Sequence, residues 1–201
     1  FNQKPMIFWT IKAAQESNMF DKIVVSTDSE DIKKVAIENG AHVPFLRSEN
    51  SDDYSSVSDV VVNEMIKYEK FFDENYDIVV SLMPNCPLRN AIDIKDSVEY
   101  FISNNHSFQI SVTEYLFTNP FWARENNGKS LFANYISKRS QDLATLLSPT
   151  GAIWIAKKQD LMTSKTFYGP RVEYYKLNWV SAIDIDTYEE LQIAEKLAAS
   201  L

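Results

Sequence analysis

The chain has 201 residues, of which 45% are hydrophobic and 13% aromatic, and a formal net charge of −8 at pH 7. That length and composition suffice for one good core, so a single domain over residues 1–201 is expected. The charge argues against sequence-independent nucleic-acid binding, which needs many Lys and Arg contacts to phosphates, and the single cysteine, Cys86, excludes an intrachain disulfide or a cysteine-based zinc site.

No apolar run reaches membrane-spanning length and no signal peptide is visible, so a soluble protein of the reducing cytoplasm, without a membrane partner, is expected. His42 and His106 stand far apart in sequence and outside any ligand-spaced cluster, and read as surface or structural residues.

In chain order, the first helix starts at Pro5, a residue tolerated at the first helical position, and its first turn is almost wholly apolar. Residues 22–27 read as a continuous apolar strand ending at Asp28. Residues 31–39 read as a helix with Ile32, Val35 and Ala36 on one face, stopped by Gly40, and residues 41–45 as a short second strand. Strand, helix and strand with short links make a βαβ unit. The polar loop 47–56 contains Ser51, Asp52, Asp53, Ser55 and Ser56. It reads either as a solvated connection, with Ser58 capping the next helix, or as a ligand loop at a strand end. The helix 59–72 lines up Val61, Met65, Tyr68 and Phe72 as a core stripe.

A buried strand over 77–82 runs into residues 83–89, where Pro84 and Pro87 hold the loop extended. Asn90 caps the following helix, which turns Ile94, Val98 and Phe101 inward. Arg89 lies near a strand's carboxyl end, where open α/β sheets bind ligands, and is a candidate phosphate or carboxylate contact; a salt bridge is the alternative. Cys86 has no neighbouring His, which argues against a nucleophile. After a strand over 108–113, residues 115–148 are aromatic, loop-rich and poorly periodic, with Lys129, Lys138 and Arg139, and read as an excursion from the sheet. A strand returns over 150–156. Residues 163–178 interleave aromatic and aliphatic residues with cations, a density that marks a protein interface or lines the core.

The final strand, 179–186, points Asp184 and Asp186 the same way and turns Ile185 into the core. Thr187 and Glu190 then have capping-box spacing, and Tyr188, Leu191, Ala194 and Leu197 recur at helical intervals. Two same-facing carboxylates suit Mg²⁺, which takes one or two of them together with waters and substrate phosphates; the competing reading is a plain helix cap. Six strands separated by helices make an α/β doubly wound, mostly parallel sheet, whose ligand crevice lies at the strands' carboxyl ends. Asp28, Ser55, Ser56, Arg89, Asp184 and Asp186 all map there.

Taken in order, Lys4-Pro5-Met6-Ile7, Val25-Ser26-Thr27-Asp28, Leu46-Arg47, residues 84–89, Asn119-Pro120-Phe121-Trp122-Ala123, Gln141-Asp142-Leu143, Gly151-Ala152-Ile153-Trp154-Ile155 and Ile183-Asp184-Ile185-Asp186-Thr187 resemble the acylneuraminate (sialic acid type) cytidylyltransferases. The resemblance spans essentially the whole chain. It implies a nucleotide-diphospho-sugar transferase-like Rossmann variant that couples CTP to a nine-carbon 2-keto sugar acid, releasing pyrophosphate. It further implies Mg²⁺ on Asp184 and Asp186, and a homodimer whose excursion segments, 115–148 and 163–178, pack across the partner's site. By the same resemblance Arg47, Ser55, Ser56, Arg89 and Asp28 serve the nucleotide and Arg139 the catalytic centre. Gln141 and Trp154 then line the sugar-acid side, while Phe167 and Tyr168 reach into the partner's pocket.

Met83 stands where sialic acid enzymes usually have glutamine, and Ser148-Pro149-Thr150 where an Arg-Pro-Asn run would help bind the sugar carboxylate, so legionaminic and pseudaminic acids are as plausible as sialic acid. The family opens with a strand and a basic, glycine-containing loop around the triphosphate. Phe1 follows that point, so the strand is expected to be absent and two sheet edges open. A noncatalytic nucleotide or sugar-acid binder of the same fold, or a metal-dependent sugar transferase, are the alternatives.

Overall fold

A computed structural model describes residues 1–49, 55–115 and 118–200. Helix α1 (Met6–Ser17) follows Pro5, which sits one position earlier than expected, at the cap, and ends at Asn18 in the left-handed conformation (φ 55°). Helix α2 (Glu30–Glu38) is capped by the Ser29 side chain, and α3 (Val57–Phe72) by Ser56. Strand β1 (Ile78–Ser81) leads through residues 82–90 to α4 (Ala91–Ser103), which Asn90 caps as expected, with Asp93 completing a reciprocal capping box. Then come β2 (Phe108–Glu114), the long β3 (Leu147–Lys157), α5 (Lys158–Ser164), β4 (Glu173–Lys176) and α6 (Tyr188–Ala198).

The sheet order is β1-β3-β2-β4, with β3 antiparallel to both neighbours and β4 parallel to β2. Helices cover both of its faces. One face buries Ile153 and Ile155 against Ala13 of α1 and Ile94, Val98 and Phe101 of α4. The other buries Phe108, Ile110 and Ala156 against Val62 of α3, Leu161 of α5 and Phe167. The α/β doubly wound class holds, and within it the sheet is mixed because β3 returns from the excursion against its neighbours.

The βαβ reading of residues 22–45 is realised around a single parallel bridge, Val24 to His42, closed by Val25 N–H to His42 O at 3.0 Å and His42 N–H to Ile23 O at 2.8 Å. Among the described residues no ladder joins that bridge to β1. A groove of about 210 Å³ separates them, walled by Lys22, Ile23, Val24, Val25 and Ser26 on one side and Val80, Leu82 and Pro84 on the other. Ile7, Thr10, Ile11 and Ala14 of α1 also line it. The 22–26 segment and the end of β1 therefore face each other across a largely apolar groove.

Three expectations are corrected. Residues 179–186 form no ladder strand: Trp179 to Ala182 make a turn, and the extended piece after it is tied to the body by Ile185 N–H to Asn85 O at 2.9 Å. The 163–178 segment is part of the sheet and core, since β4 pairs with β2 and Phe167 is fully buried. Ser58 does not cap α3; it is buried and its hydroxyl accepts the Phe167 N–H at 3.2 Å. The excursion, by contrast, is real: residues 118–146 carry three single 3₁₀ turns (Pro120–Trp122, Ala133–Tyr135, Ser140–Asp142) and are largely exposed.

Candidate active site

The edge where β1 ends and β3 begins gathers the polar residues. Asp184 and Asp186 are both exposed, with Ile185 between them buried, so the alternation read from the sequence survives although the ladder does not. Neither carboxylate has an ion pair with Lys or Arg among the described residues. Asp186 is held at two points: its N–H donates to Glu190 Oε2 at 2.9 Å, and its Oδ1 accepts from Asn85 Nδ2 at 3.0 Å. Glu190 also accepts the Thr187 N–H at 2.8 Å, while Thr187 Oγ1 accepts the Glu190 N–H, which completes the capping box that begins α6. The same cap that starts the helix therefore fixes the backbone of Asp186.

These bonds hold the Glu190 carboxyl below its ordinary range, the Asp186 N–H first and the Thr187 groups next. A carboxylate whose folded value is depressed stabilises the fold above the unfolded value and loses that contribution as pH falls through the folded one. The difference in melting temperature between the wild type and Glu190→Gln is therefore expected to shrink on acidification from about pH 6 to pH 4. Thermal melts of the two proteins across that range check it.

Arg89 is not at the surface. It is 2% exposed, and its guanidinium donates to Ala152 O (2.6 Å), Met83 O (3.2 Å) and Thr10 Oγ1 (2.8 Å). Burial pushes its pKa down to about 10, so it stays charged at neutral pH, and among the described residues it has no carboxylate ion pair. Its guanidinium is spent on bracing the loop, a burial that speaks against the assignment to the nucleotide, and no carboxylate pairs with it among the described residues, which corrects the salt-bridge alternative. Cys86 beside it is fully buried, and burial raises its thiol to about 11, which keeps it protonated and inert.

At the carboxyl end of the 22–27 segment, Arg47 N–H donates to Thr27 O at 2.8 Å and so brings Arg47 alongside exposed Asp28. Among the described residues the Arg47 Nε, like that of Arg89, is buried without a hydrogen-bond partner, and on the half-buried Arg47 it is a donor of the kind an anion would satisfy. Ser56 is committed to the α3 cap, accepting from Asp59 N–H at 3.1 Å and donating to Asp59 Oδ2 at 2.7 Å. Ser55 precedes it, and Ser51, Asp52 and Asp53 lie outside the described residues.

Met83 N–H donates to Gly151 O at 3.2 Å, and a Cβ on Gly151 would stand 2.2 Å from Met83 Sδ, so glycine is what lets this side chain lie across β3. Trp154 leans back along β3, its indole N–H donating to Thr150 O at 2.6 Å, with Tyr168 edge-on at 5.6 Å and Phe167 at 5.8 Å. Phe167 is sealed in this chain's own core and cannot reach into a partner, whereas Tyr168 is 47% exposed. Arg139 and Gln141 lie on the exposed excursion, where Arg139 makes a two-point pair with Asp142 (2.8 and 3.1 Å); among the described residues no hydrogen bond or ion pair brings either to the aspartates. Sequence reasoning misses Asn85 and Thr10. Asn85 carries a usable signal, as the one amide between two prolines at a strand's carboxyl end.

The cytidylyltransferase family model matches residues 1–199. The chain belongs to the cytidylyltransferase family. A pseudaminic acid cytidylyltransferase of Campylobacter jejuni subsp. jejuni serotype O:2 is 34% identical over 201 residues, covering 98% of this chain and 86% of that protein. A CMP-N,N'-diacetyllegionaminic acid synthase of Legionella pneumophila subsp. pneumophila is 34% identical, covering 96% and 85%. An N-acylneuraminate cytidylyltransferase of Streptococcus agalactiae serotype III is also 34% identical, covering 93% of this chain but 45% of that longer protein. Among solved structures, a CMP:2-keto-3-deoxy-manno-octonic acid synthetase complexed with CTP superposes with a TM-score of 0.69 at 14% identity, covering 98% of this chain and 89% of the other. At that identity the likeness speaks for the fold alone. As a cytidylyltransferase the protein is a nucleotidyltransferase, which sets aside the noncatalytic and sugar-transferase alternatives.

Proposed function

We propose that this cytidylyltransferase joins CTP to a nine-carbon 2-keto sugar acid of the pseudaminic, legionaminic or sialic type, giving the CMP-sugar and pyrophosphate, with Mg²⁺ held by Asp184 and Asp186. The observation that carries the reading is the pair of exposed carboxylates, free of ion pairs among the described residues, of which Asp186 is fixed by Asn85 and Glu190. Among the described residues no group of three or more His, Cys, Asp and Glu could hold a metal. Two carboxylates fit Mg²⁺ all the same, because it keeps waters and takes its remaining ligands from substrate phosphates. The substrate class follows from the names of the relatives, each 34% identical over most of this chain.

In this reading Arg47, with an Nε unsatisfied among the described residues, takes a phosphate or the nucleotide's polar edge, and its backbone bond to Thr27 sets it next to Asp28 in the fold. Tyr168 and Trp154 offer an aromatic wall to the sugar acid. The anomeric hydroxyl attacks the α-phosphorus and pyrophosphate leaves, so the residues' work is positioning and charge placement. Mg²⁺ supplies neutralisation of the charge that develops on the phosphates. The test is to incubate the protein with CTP, Mg²⁺ and a panel of nine-carbon acids and to measure pyrophosphate and CMP-sugar. Turnover without added divalent cation, and undiminished by a chelator, would remove the metal from the proposal.

The same reading makes the enzyme a cytoplasmic homodimer in which the 118–146 arm completes the partner's site with Arg139 and Gln141. The arm supports this by presenting Leu131, Phe132, Tyr135 and Ile136 to solvent, at 55%, 41%, 36% and 39% exposure. Phe121 stacked on Tyr135 at 4.6 Å stiffens it from within. A Leu131→Asp/Ile136→Asp protein is expected to sediment as a monomer, melt as the wild type does and lose turnover. A wild type that is already monomeric and active would remove the dimer.

A further inference from the structure

Asn85 grips the extended 184–186 segment twice. Its backbone oxygen accepts the Ile185 N–H at 2.9 Å, and its side-chain amide donates to Asp186 Oδ1 at 3.0 Å. The loop that carries it is braced from below, since Arg89 holds Met83 O and Ala152 O, and its own N–H donates to Cys86 O at 3.3 Å. A carboxylate torsion is broad and soft, so an exposed Asp186 held by its backbone alone would swing. A donor on one oxygen removes that freedom and leaves the second oxygen available.

We propose that Asn85 is a positioning residue: its amide orients Asp186 so that the unbonded oxygen and Asp184 present to one divalent cation. This rests on the proposed function, in which those two aspartates hold Mg²⁺. The chemistry of the donor matters. A Lys or Arg in its place would orient Asp186 equally well but would cancel one of the two charges that attract the cation, whereas a neutral amide orients the carboxylate and leaves both charges in place. Hydrogen bonds to ligand side chains are worth about 10–100-fold in metal affinity, so the effect is measurable.

The backbone bond to Ile185 does not depend on the side chain, so Asn85→Ala removes the orienting bond and keeps the loop attached. Mn²⁺ alone serves as the probe, titrated into wild type, Asn85→Ala, Asn85→Gln and Asp186→Ala, with the free ion read by its paramagnetic resonance signal. Asn85→Ala is expected to weaken Mn²⁺ binding about 10–100-fold at an unchanged melting temperature, and Asn85→Gln to recover part of the loss. Asn85→Ala binding Mn²⁺ as the wild type does, while Asp186→Ala fails to, would overturn the positioning role and leave the metal site standing. A wild type that takes up no more Mn²⁺ than Asp186→Ala would overturn both. A fall in melting temperature for Asn85→Ala that tracks the loss of binding would overturn the positioning role too and make Asn85 a structural latch.

Discussion

Asp186→Ala is expected to lower cation-dependent turnover by about 10²–10³-fold while leaving the melting temperature within the scatter of the wild type. The two halves of that statement have separate causes. Asp186 is exposed, and the only bond its carboxylate makes among the described residues is with Asn85, so removing it creates no cavity and no buried unsatisfied group. What the fold needs at this position, the backbone N–H that Glu190 accepts, survives the substitution. The catalytic loss comes from halving the carboxylate supply, since no third acidic or imidazole ligand stands ready among the described residues. Steady-state pyrophosphate release against Mg²⁺ concentration, alongside a thermal melt, separates the two. Near-normal turnover would show that the aspartates are only the cap of α6.

The caps are the most legible part of the sequence, because their chemistry is local. Asn90 with Asp93 and Thr187 with Glu190 each place donor and acceptor within one turn; the Asn90 cap and the Thr187 box form as expected, and Asp93 adds a second box. Elements whose partners lie far along the chain are less legible. The apolar run 179–186 looks like a strand, yet whether it pairs depends on what lies beside it, and what lies there is the Asn85 loop, which offers one carbonyl. Residues 163–178 look like interface material because the exposed face of an edge strand, such as Tyr174 at 52% exposure, has the composition of a docking surface. The side of the sheet that β4 joins is set by parallel pairing with β2, more than sixty residues earlier, and no local pattern encodes that.

The site shows the same division. Alternation alone places Asp184 and Asp186 on one side of Ile185, and it holds outside a ladder because the segment is still extended. Arg47 is legible from its loop and, among the described residues, keeps a guanidinium nitrogen without a partner. Ser56 and Phe167, which the sequence suggests as ligand contacts, serve the fold, one as a cap and one as core. Serine before a helix and phenylalanine before a turn carry no mark that separates the two uses.

Arg89 is where a site reading and a structural reading predict opposite measurements. Its guanidinium joins three elements: Thr10 of α1, Met83 in the loop after β1 and Ala152 of β3. Arg89→Ala removes these bonds from the interior, leaves carbonyls that water does not easily reach, and opens a cavity of several methylenes. Unsatisfied buried groups cost about 1–3 kcal/mol each and large-to-small core changes about 2–5, so a loss on the order of 4 kcal/mol is expected, much of the stability of a domain this size. Arg89→Lys should fare only partly better, because a compact ammonium on a shorter stem cannot span both carbonyls and Thr10. The midpoint of urea unfolding reads the cost, and calorimetric titration of CTP into whatever fraction folds reads the alternative. A normal urea midpoint with a CTP affinity lowered tenfold or more would return Arg89 to the nucleotide. A lowered midpoint, with CTP affinity intact in the folded fraction, is the result that a guanidinium 2% exposed predicts.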